Sequence, residues 1–293
     1  MFKFIFGEHL VSTGKLTSGQ YNEIIEMVET SRVKLGMLAE ANNMLSKKQA
    51  DEVNRLQAVV DKRFGDIAIS KGYLTEEQVS SLLKLQGNTY FKFIQAIIDR
   101  EYLSLEDVTD SLSSFQSKNG YSNEQMELFK TDDLDNILPI LIQVEEPFYN
   151  DLIELVIRNL VRFVTNNIML SGIKKVNEYG FDYLSNQTVI GDHTIYLGFS
   201  GSKDGLLLIS NNYAKEEFDE LDIDSFDSIC EFINCINGLF ARYLSDKDVV
   251  VDLLPPTYAV DGKLSTNALY VVSLKLCSKP VDIIVSIDQI IKQ

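Results

Sequence analysis

The stretch DSICEFINCINGLFARYLS, Asp227 to Ser245, decides how this chain is read. Ile229, Phe232, Ile233, Ile236, Leu239, Phe240 and Tyr243 recur at the three- and four-residue spacing of an amphipathic helix with one buried side. The other face carries Asp227, Glu231, Asn234, Gly238 and Arg242 in single file, each three or four residues from the next. A polar file is the ordinary solvated side of such a helix. Asn and Gly are poor helix formers, however, and solvent alone gives no reason for both to stand in it.

Around this helix the pattern mixes helices with strands. Glu146 to Ser171 reads as a long helix, with Leu152, Leu155, Val156, Leu160, Phe163, Val164 and Ile168 as its buried stripe. HTIYLGFSGSKDGLLLIS, residues 193–210, reads as two β-rich runs about a Gly-Ser-Lys-Asp-Gly turn, and Ala214 to Asp222 as a short acidic helix. VVVDLLPPTYAVDG gives a strand halted by Pro255 and Pro256. ALYVVSLKL (268–276) and VDIIVSI (281–287) form a terminal hairpin about Ser278-Lys279-Pro280. Helices grouped with hairpin-joined strands predict an α+β sandwich with a mostly antiparallel sheet over residues 134–293.

The first third is periodic instead. Gly7, Gly36 and Gly65 stand 29 residues apart, as do Leu16, Leu45, Leu74 and Leu103, and the same offset links Thr17, Ser46, Thr75 and Ser104. Gln20, Gln49, Gln78 and Asp107 follow in step, so four copies of one unit are present. The copy RFGDIAISKGYLTEEQVSSLLKLQ (63–86) explains the pattern: a short helix closed by Gly72 in a left-handed position, then a helix opened by the Thr75–Gln78 capping box. KNGYSNEQM at 118–126 spells the cap once more, out of phase. Residues 1–130 are thus predicted to form an all-helical repeat domain.

The 293 residues suit two domains, and 45% apolar content supports a core in each. Net charge is -16, and it is unevenly shared: residues 1–130 hold 15 Lys and Arg against 18 Asp and Glu, residues 131–293 hold 12 against 25. Nucleic acid and anionic membrane are poor partners for so acidic a second half, and a basic protein face is a better one. No segment approaches a membrane span, and the apolar start MFKFIF is too short for a signal-peptide core. Cys230, Cys235 and Cys277 form no CxxC pair and predict reduced thiols in a cytoplasmic protein. With only His9 and His193, and no second ligand at metal spacing, neither a zinc site nor a His-based triad is expected.

Glu231-x2-Asn234, with Asp227 four residues before and Gly238 four after, then a strand and P-P-T-Y-A-V-D-G, resembles the CheC/CheX/FliY family of chemotaxis phosphatases. GFSGSKDGLLLIS is similar to the family's strand-SG-turn-G-strand, and with one evident E-x-x-N copy the CheX branch is the nearer resemblance. In DLIELVIRN the second copy would fall on Glu154, but Ile157 stands where its Asn would be. The resemblance implies a CheX-like fold that removes the phosphoryl group from the aspartate of a phosphorylated CheY-like receiver. Phosphoryl transfer asks its helper chiefly to place a water and favourable charge. Asn234 would then orient the attacking water, and Glu231 would pair with a receiver lysine. Asp227, Gly238, Pro255 and Pro256 would form the docking rim, Gly238 leaving room for a partner's backbone. The receiver would bring its own Mg²⁺, so neither a cofactor nor a metal is expected on this chain. CheX relatives pair, which implies a homodimer.

Copies two and three of the repeat resemble the N-terminal domain of type II secretion and type IV pilus assembly ATPases, some of which bind cyclic di-GMP. Carried over, that ligand would meet Lys34, Leu35, Gly36 and Arg63, Phe64, Gly65, with Gln57 and Gln86 closing the site. The same positions equally suit packing and capping in a helical repeat. A non-catalytic adaptor that binds a receiver, or answers to cyclic di-GMP, is the alternative to the phosphatase.

Overall fold

The computed structural model describes residues 1–146, 148–289 and 291. The chain divides into two compact units, Phe2–Ile137 and Leu138–Gln293.

The first unit is helical among its described residues. Its elements are α1 (Phe2–Ser12), α2 (Ser18–Val28), α3 (Leu35–Ala41), α4 (Lys47–Gln57), α5 (Phe64–Ser70), α6 (Glu76–Leu85), α7 (Thr89–Asp99), α8 (Leu105–Asn119) and α9 (Asn123–Thr131), with the division falling inside α10 (Leu134–Leu141). The hairpins α1–α2, α3–α4, α5–α6 and α7–α8 repeat one local chemistry. Each first helix closes with a six-to-one backbone bond: Lys15 N–H to the Leu10 carbonyl, Met44 to Ala39, Tyr73 to Ala68 and Tyr102 to Ile97, at 2.8–3.3 Å. The residue before each donor is left-handed, namely Gly14, Asn43, Gly72 and Glu101, with φ between +55° and +72°. Each second helix opens on a reciprocal capping box, Thr17 with Gln20, Ser46 with Gln49, Thr75 with Gln78 and Ser104 with Asp107. Ser122 and Gln125 close the fifth box that the sequence spells. The repeated glycines lie where helices touch: a Cβ on Gly7 would sit 2.2 Å from the Tyr21 ring, and one on Gly65 2.8 Å from Val79.

The second unit contains α11 (Tyr149–Phe163), β1 (Ile168–Gly191), β2 (Ile195–Gly201), α12 (Lys203–Ala214), α13 (Ile223–Ser245), β3 (Val251–Leu253), β4 (Thr257–Leu276) and β5 (Lys279–Ile287). All strand pairs are antiparallel, in the order β2-β5-β4-β1-β3, and Leu184–Val189 of β1 pair with β2 as well. This is the α+β architecture with an antiparallel sheet that the sequence predicts. One sheet face meets the helices, where Phe199 of β2 stacks on Phe232 of α13 at 5.8 Å. The long β1–β4 ribbon shifts register between Leu170 and Gly172 and between Val176 and Glu178. Such bulges bend a ribbon, and Phe181 and Leu264 from its middle join Leu184, Tyr196, Leu269, Val271 and Ile284 in one apolar cluster.

Several sequence expectations in this unit are corrected. The helix expected from Glu146 to Ser171 is α11 alone; Pro147 lies outside the described residues, and Ile168 already opens β1. Its end is chemical: the Thr165 N–H returns to the Leu160 carbonyl, and the Thr165 hydroxyl takes the Asn167 N–H. Residues 193–210 are not a hairpin but β2 followed by α12, which starts where the Ser202 side chain caps the Gly205 N–H. No helix spans Ala214 to Asp222, because α12 stops at left-handed Lys215 and the Asn211 amide then binds both the N–H and the carbonyl of Phe218. Pro255 and Pro256 do halt the strand as expected: β3 ends at Leu253, and β4 begins at Thr257 and runs on through Asp261-Gly262. The terminal hairpin turns at Cys277-Ser278, both at positive φ, one residue earlier than the expected Ser-Lys-Pro turn.

Candidate functional site

Asp227 to Ser245 lie in α13, which starts four residues earlier, at Ile223. Asp222 accepts from the Ser225 N–H while the Ser225 hydroxyl accepts from the Asp222 N–H, a capping box that fixes where the helix begins. Hydrogen bonds from Ser225 hold the Asp222 carboxyl below its ordinary range. Ile229, Phe232, Ile233, Ile236 and Phe240 are buried, whereas Asp227, Glu231, Asn234, Gly238 and Arg242 are all exposed on the other face. Leu239 departs from expectation at 44% exposure, beside Gly238 rather than in the core. A Cβ on Gly238 would meet nothing within 4 Å, so no packing inside this chain asks for glycine there.

Asn234 is exposed but not free. Its Oδ1 accepts a 2.7 Å hydrogen bond from Nε2 of Gln187, a residue of β1 that is 1% exposed. The same Nε2 donates at 2.8 Å to the carbonyl of Leu254, the residue before Pro255. Gln187 Oε1 in turn accepts from Nδ2 of Asn237, buried on the inner side of α13. The Pro255-Pro256 link is pinned at both ends: the Leu254 N–H donates to the Thr188 carbonyl at 3.0 Å, and the Thr257 hydroxyl donates to Asn186 Oδ1 at 3.3 Å. Pro255 is exposed and Pro256 half-buried. The arrangement therefore joins a solvent-facing amide to the proline link through one buried glutamine, with the exposed Glu231 one turn earlier on the same face.

Neighbouring groups are chemically quiet. Burial pushes the Cys230 thiol up to about 11, which leaves it a poor nucleophile at neutral pH. Burial first, then Cys235 and Glu231, push the phenol of Tyr213 up from its ordinary value. In α11, Glu154 pairs with Arg158 at 2.9 Å and Ile157 is buried, so the second E-x-x-N position presents no amide. Among the described residues no group of three His, Cys, Asp or Glu side chains is arranged to hold a metal ion. No helix among them is long and apolar enough to cross a membrane.

In the first unit, the triplets Lys34-Leu35-Gly36 and Arg63-Phe64-Gly65 line a single cavity of about 960 Å³ together with Gln57 and Gln86. Part of that set also serves the fold. Gln86 Nε2 donates to the Val33 carbonyl, Gln57 Nε2 to the Lys62 carbonyl, and Lys34 Nζ pairs with Asp99 at 2.7 Å. A Cβ on Gly36 would lie 3.0 Å from the Phe64 ring, so packing alone accounts for that glycine.

No protein-family model matches the sequence, and no curated protein matches it. Solved structures do. A CheC-like superfamily protein from Shewanella sp. PV-4 aligns over 49% of this chain and 99% of its own, with 15% identity and a TM-score of 0.44. Chemotaxis protein CheX from Vibrio vulnificus aligns over 48% and 99%, with 14% identity and a TM-score of 0.42. A chain of the CheX–CheY–BeF3–Mg complex from Borrelia burgdorferi aligns over 46% and 94%, with 17% identity and a TM-score of 0.38.

Sequence reasoning finds the exposed file on α13 and misses what stands behind it. Gln187 lies 47 residues before Asn234, and only folding brings them together. Two signals were present in the chain: the polar run Ser185-Asn186-Gln187-Thr188 set between the apolar Leu184 and Val189, and Asn237 on the apolar side of α13. Polar side chains in such places need buried partners, and Gln187 and Asn237 find one another.

Proposed function

We propose that the second unit is a chemotaxis-type signalling domain that hydrolyses the phosphoaspartate of a CheY-like receiver. The observation that carries this reading is the solvent-facing Glu231 and Asn234, with the Asn234 amide held from behind and an open Gly238 one turn on. In the reaction a water oxygen attacks phosphorus in line, the acyl-phosphate P–O bond breaks, the aspartate leaves as carboxylate, and inorganic phosphate is released. Asn234 supplies one remaining Oδ1 lone pair for a hydrogen of the attacking water and its Nδ2 hydrogens for the phosphoryl region. Glu231 receives a receiver lysine and sets the docking angle. Asp227 and the Pro255-Pro256 link bound the contact. Mg²⁺, as an ion of the receiver, would supply charge neutralisation there, and this chain is assigned no part in holding it.

The test is phosphate release from a phosphorylated receiver in the presence of the intact protein and of Asn234→Ala. The intact protein accelerates release, and the variant loses on the order of 10² to 10³ of that rate while still binding the receiver. Equal rates for both would overturn the reading and leave a receiver-binding adaptor.

A second reading concerns the first unit and rests on a different observation. Eight residues selected from two copies of a 29-residue repeat line one cavity, and Arg63 makes no ion pair among the described residues. A cyclic dinucleotide, with two bases and two phosphates, suits paired basic-apolar-glycine triplets. Titration calorimetry of the full chain with cyclic di-GMP, repeated on Arg63→Ala, decides it. Binding that the variant loses supports the reading, and no heat at tens of micromolar ends it.

A further inference from the structure

Gln187 belongs to none of the motifs that single out the α13 face, yet every hydrogen-bonding atom of its side chain is committed. The Leu254 carbonyl can only accept, so the end of the Gln187 amide that faces it must be nitrogen. That nitrogen has two hydrogens, and the second points at Asn234. Asn234 must therefore turn its oxygen inward and its Nδ2 toward solvent. The Gln187 oxygen faces α13, and Asn237 must meet it with nitrogen. One backbone carbonyl thus fixes the polarity of three side-chain amides in series, of which Gln187 and Asn237 are buried and Asn234 is exposed.

We propose that Gln187 is the positioning residue that sets which atoms of Asn234 face a docked partner, and that it ties this choice to the Pro255-Pro256 rim through the Leu254 carbonyl. The catalytic part rests on the phosphatase reading; the orienting part does not. Without Gln187, Asn234 is an exposed side chain whose amide can turn over, because the two orientations of such a torsion are nearly equivalent in solvent. With it, the water-accepting lone pair and the outward N–H groups are in place before the receiver arrives. Preorganisation of this kind is what makes a polar group count in a transition state.

Two substitutions probe it. Gln187→Leu removes all three hydrogen bonds at similar size. Gln187→Glu keeps an acceptor for Asn237 but turns oxygen toward Asn234, which must then flip its amide to answer. In phosphate-release assays both variants are expected to lower kcat by roughly 10- to 100-fold, with the half-saturating receiver concentration unchanged within about twofold. In the Asn234→Ala background, Gln187→Leu is expected to cost nothing further, because its whole effect passes through the missing amide. A loss as large in that background as in the wild type would mean general structural damage and sink the proposal. The second readout needs no catalysis. The Asn234 side-chain NH2 resonances, identified by their loss in Asn234→Ala, are expected to be dispersed in the wild type and to move in both Gln187 variants. Resonances that stay put in both overturn the orienting role. A wild-type protein without phosphatase activity removes the catalytic reading only, and the resonances still decide the rest.

Discussion

At Gly238 helix stability and access to Asn234 pull in opposite directions. Glycine in a helix interior costs about 1 kcal/mol relative to alanine, and nothing in this chain lies within 4 Å of the missing Cβ. Side chains on a helix lean toward its N-terminus, so one at 238 would lie over the turn that carries Asn234. Gly238→Leu is therefore expected to keep or raise the melting temperature while lowering receiver dephosphorylation at least tenfold, read by thermal unfolding and phosphate release on one preparation. A variant that stays fully active would show that the receiver does not approach over this turn. Gly238 and the rest of the file were legible because a helix face depends only on local spacing. Gln187 and Asn237 were not, because their roles depend on which strand passes beneath that helix, and periodicity holds no record of it.

Elements whose boundaries are written in capping chemistry were readable for the same local reason. Thr75 and Gln78 exchange hydrogen bonds as their spelling implies, and so do the other four boxes. Thr75→Ala is expected to cost about 1 kcal/mol in denaturant unfolding of the first unit. The left-handed position makes a sharper test of the shared geometry. It is filled by Gly14, Asn43 and Gly72, residues that tolerate positive φ, but in the fourth hairpin by Glu101 at φ +56°. Glu101→Asn is expected to raise the unfolding midpoint, whereas the matching change Gly72→Glu lowers it. The second unit was harder because its apolar runs are short. Leu206, Leu207, Leu208 and Ile209 suit a strand or a buried helix alike, and the Ser202 cap decides for α12. Asp261-Gly262 imitates a hairpin turn, but Gly262 sits in mid-strand beneath the Phe181 ring, whose nearest atom would lie 2.4 Å from a Cβ there. The 24-residue β1 escaped because its burial follows no simple alternation: bulges and the ribbon's bend move its side chains from one environment to another.

Across the whole molecule, charge is the property that separates the two halves. Residues 131–293 carry 25 acidic against 12 basic side chains, and the exposed file on α13 adds Asp227 and Glu231 to that field at the proposed contact. On the proposed reading, a receiver lysine that meets Glu231 approaches a half of the chain in which acidic side chains outnumber basic ones about two to one. Long-range attraction of this kind acts on the encounter and is screened over about 10 Å at 0.1 M salt, whereas the chemical step takes place among groups already in contact. Salt should therefore divide the two. Between about 50 and 500 mM NaCl the association rate of a phosphorylated receiver, followed by stopped-flow fluorescence, is expected to fall on the order of tenfold. Turnover at saturating receiver should stay nearly constant over the same range. Glu231→Gln removes one charge of the field along with the direct pair, so it is expected to slow association and to flatten its salt dependence. If association proved indifferent to salt, the acidity of this half would have no part in docking, and the contact would have to be held by Leu239, Tyr258 and the other apolar groups exposed in the same unit.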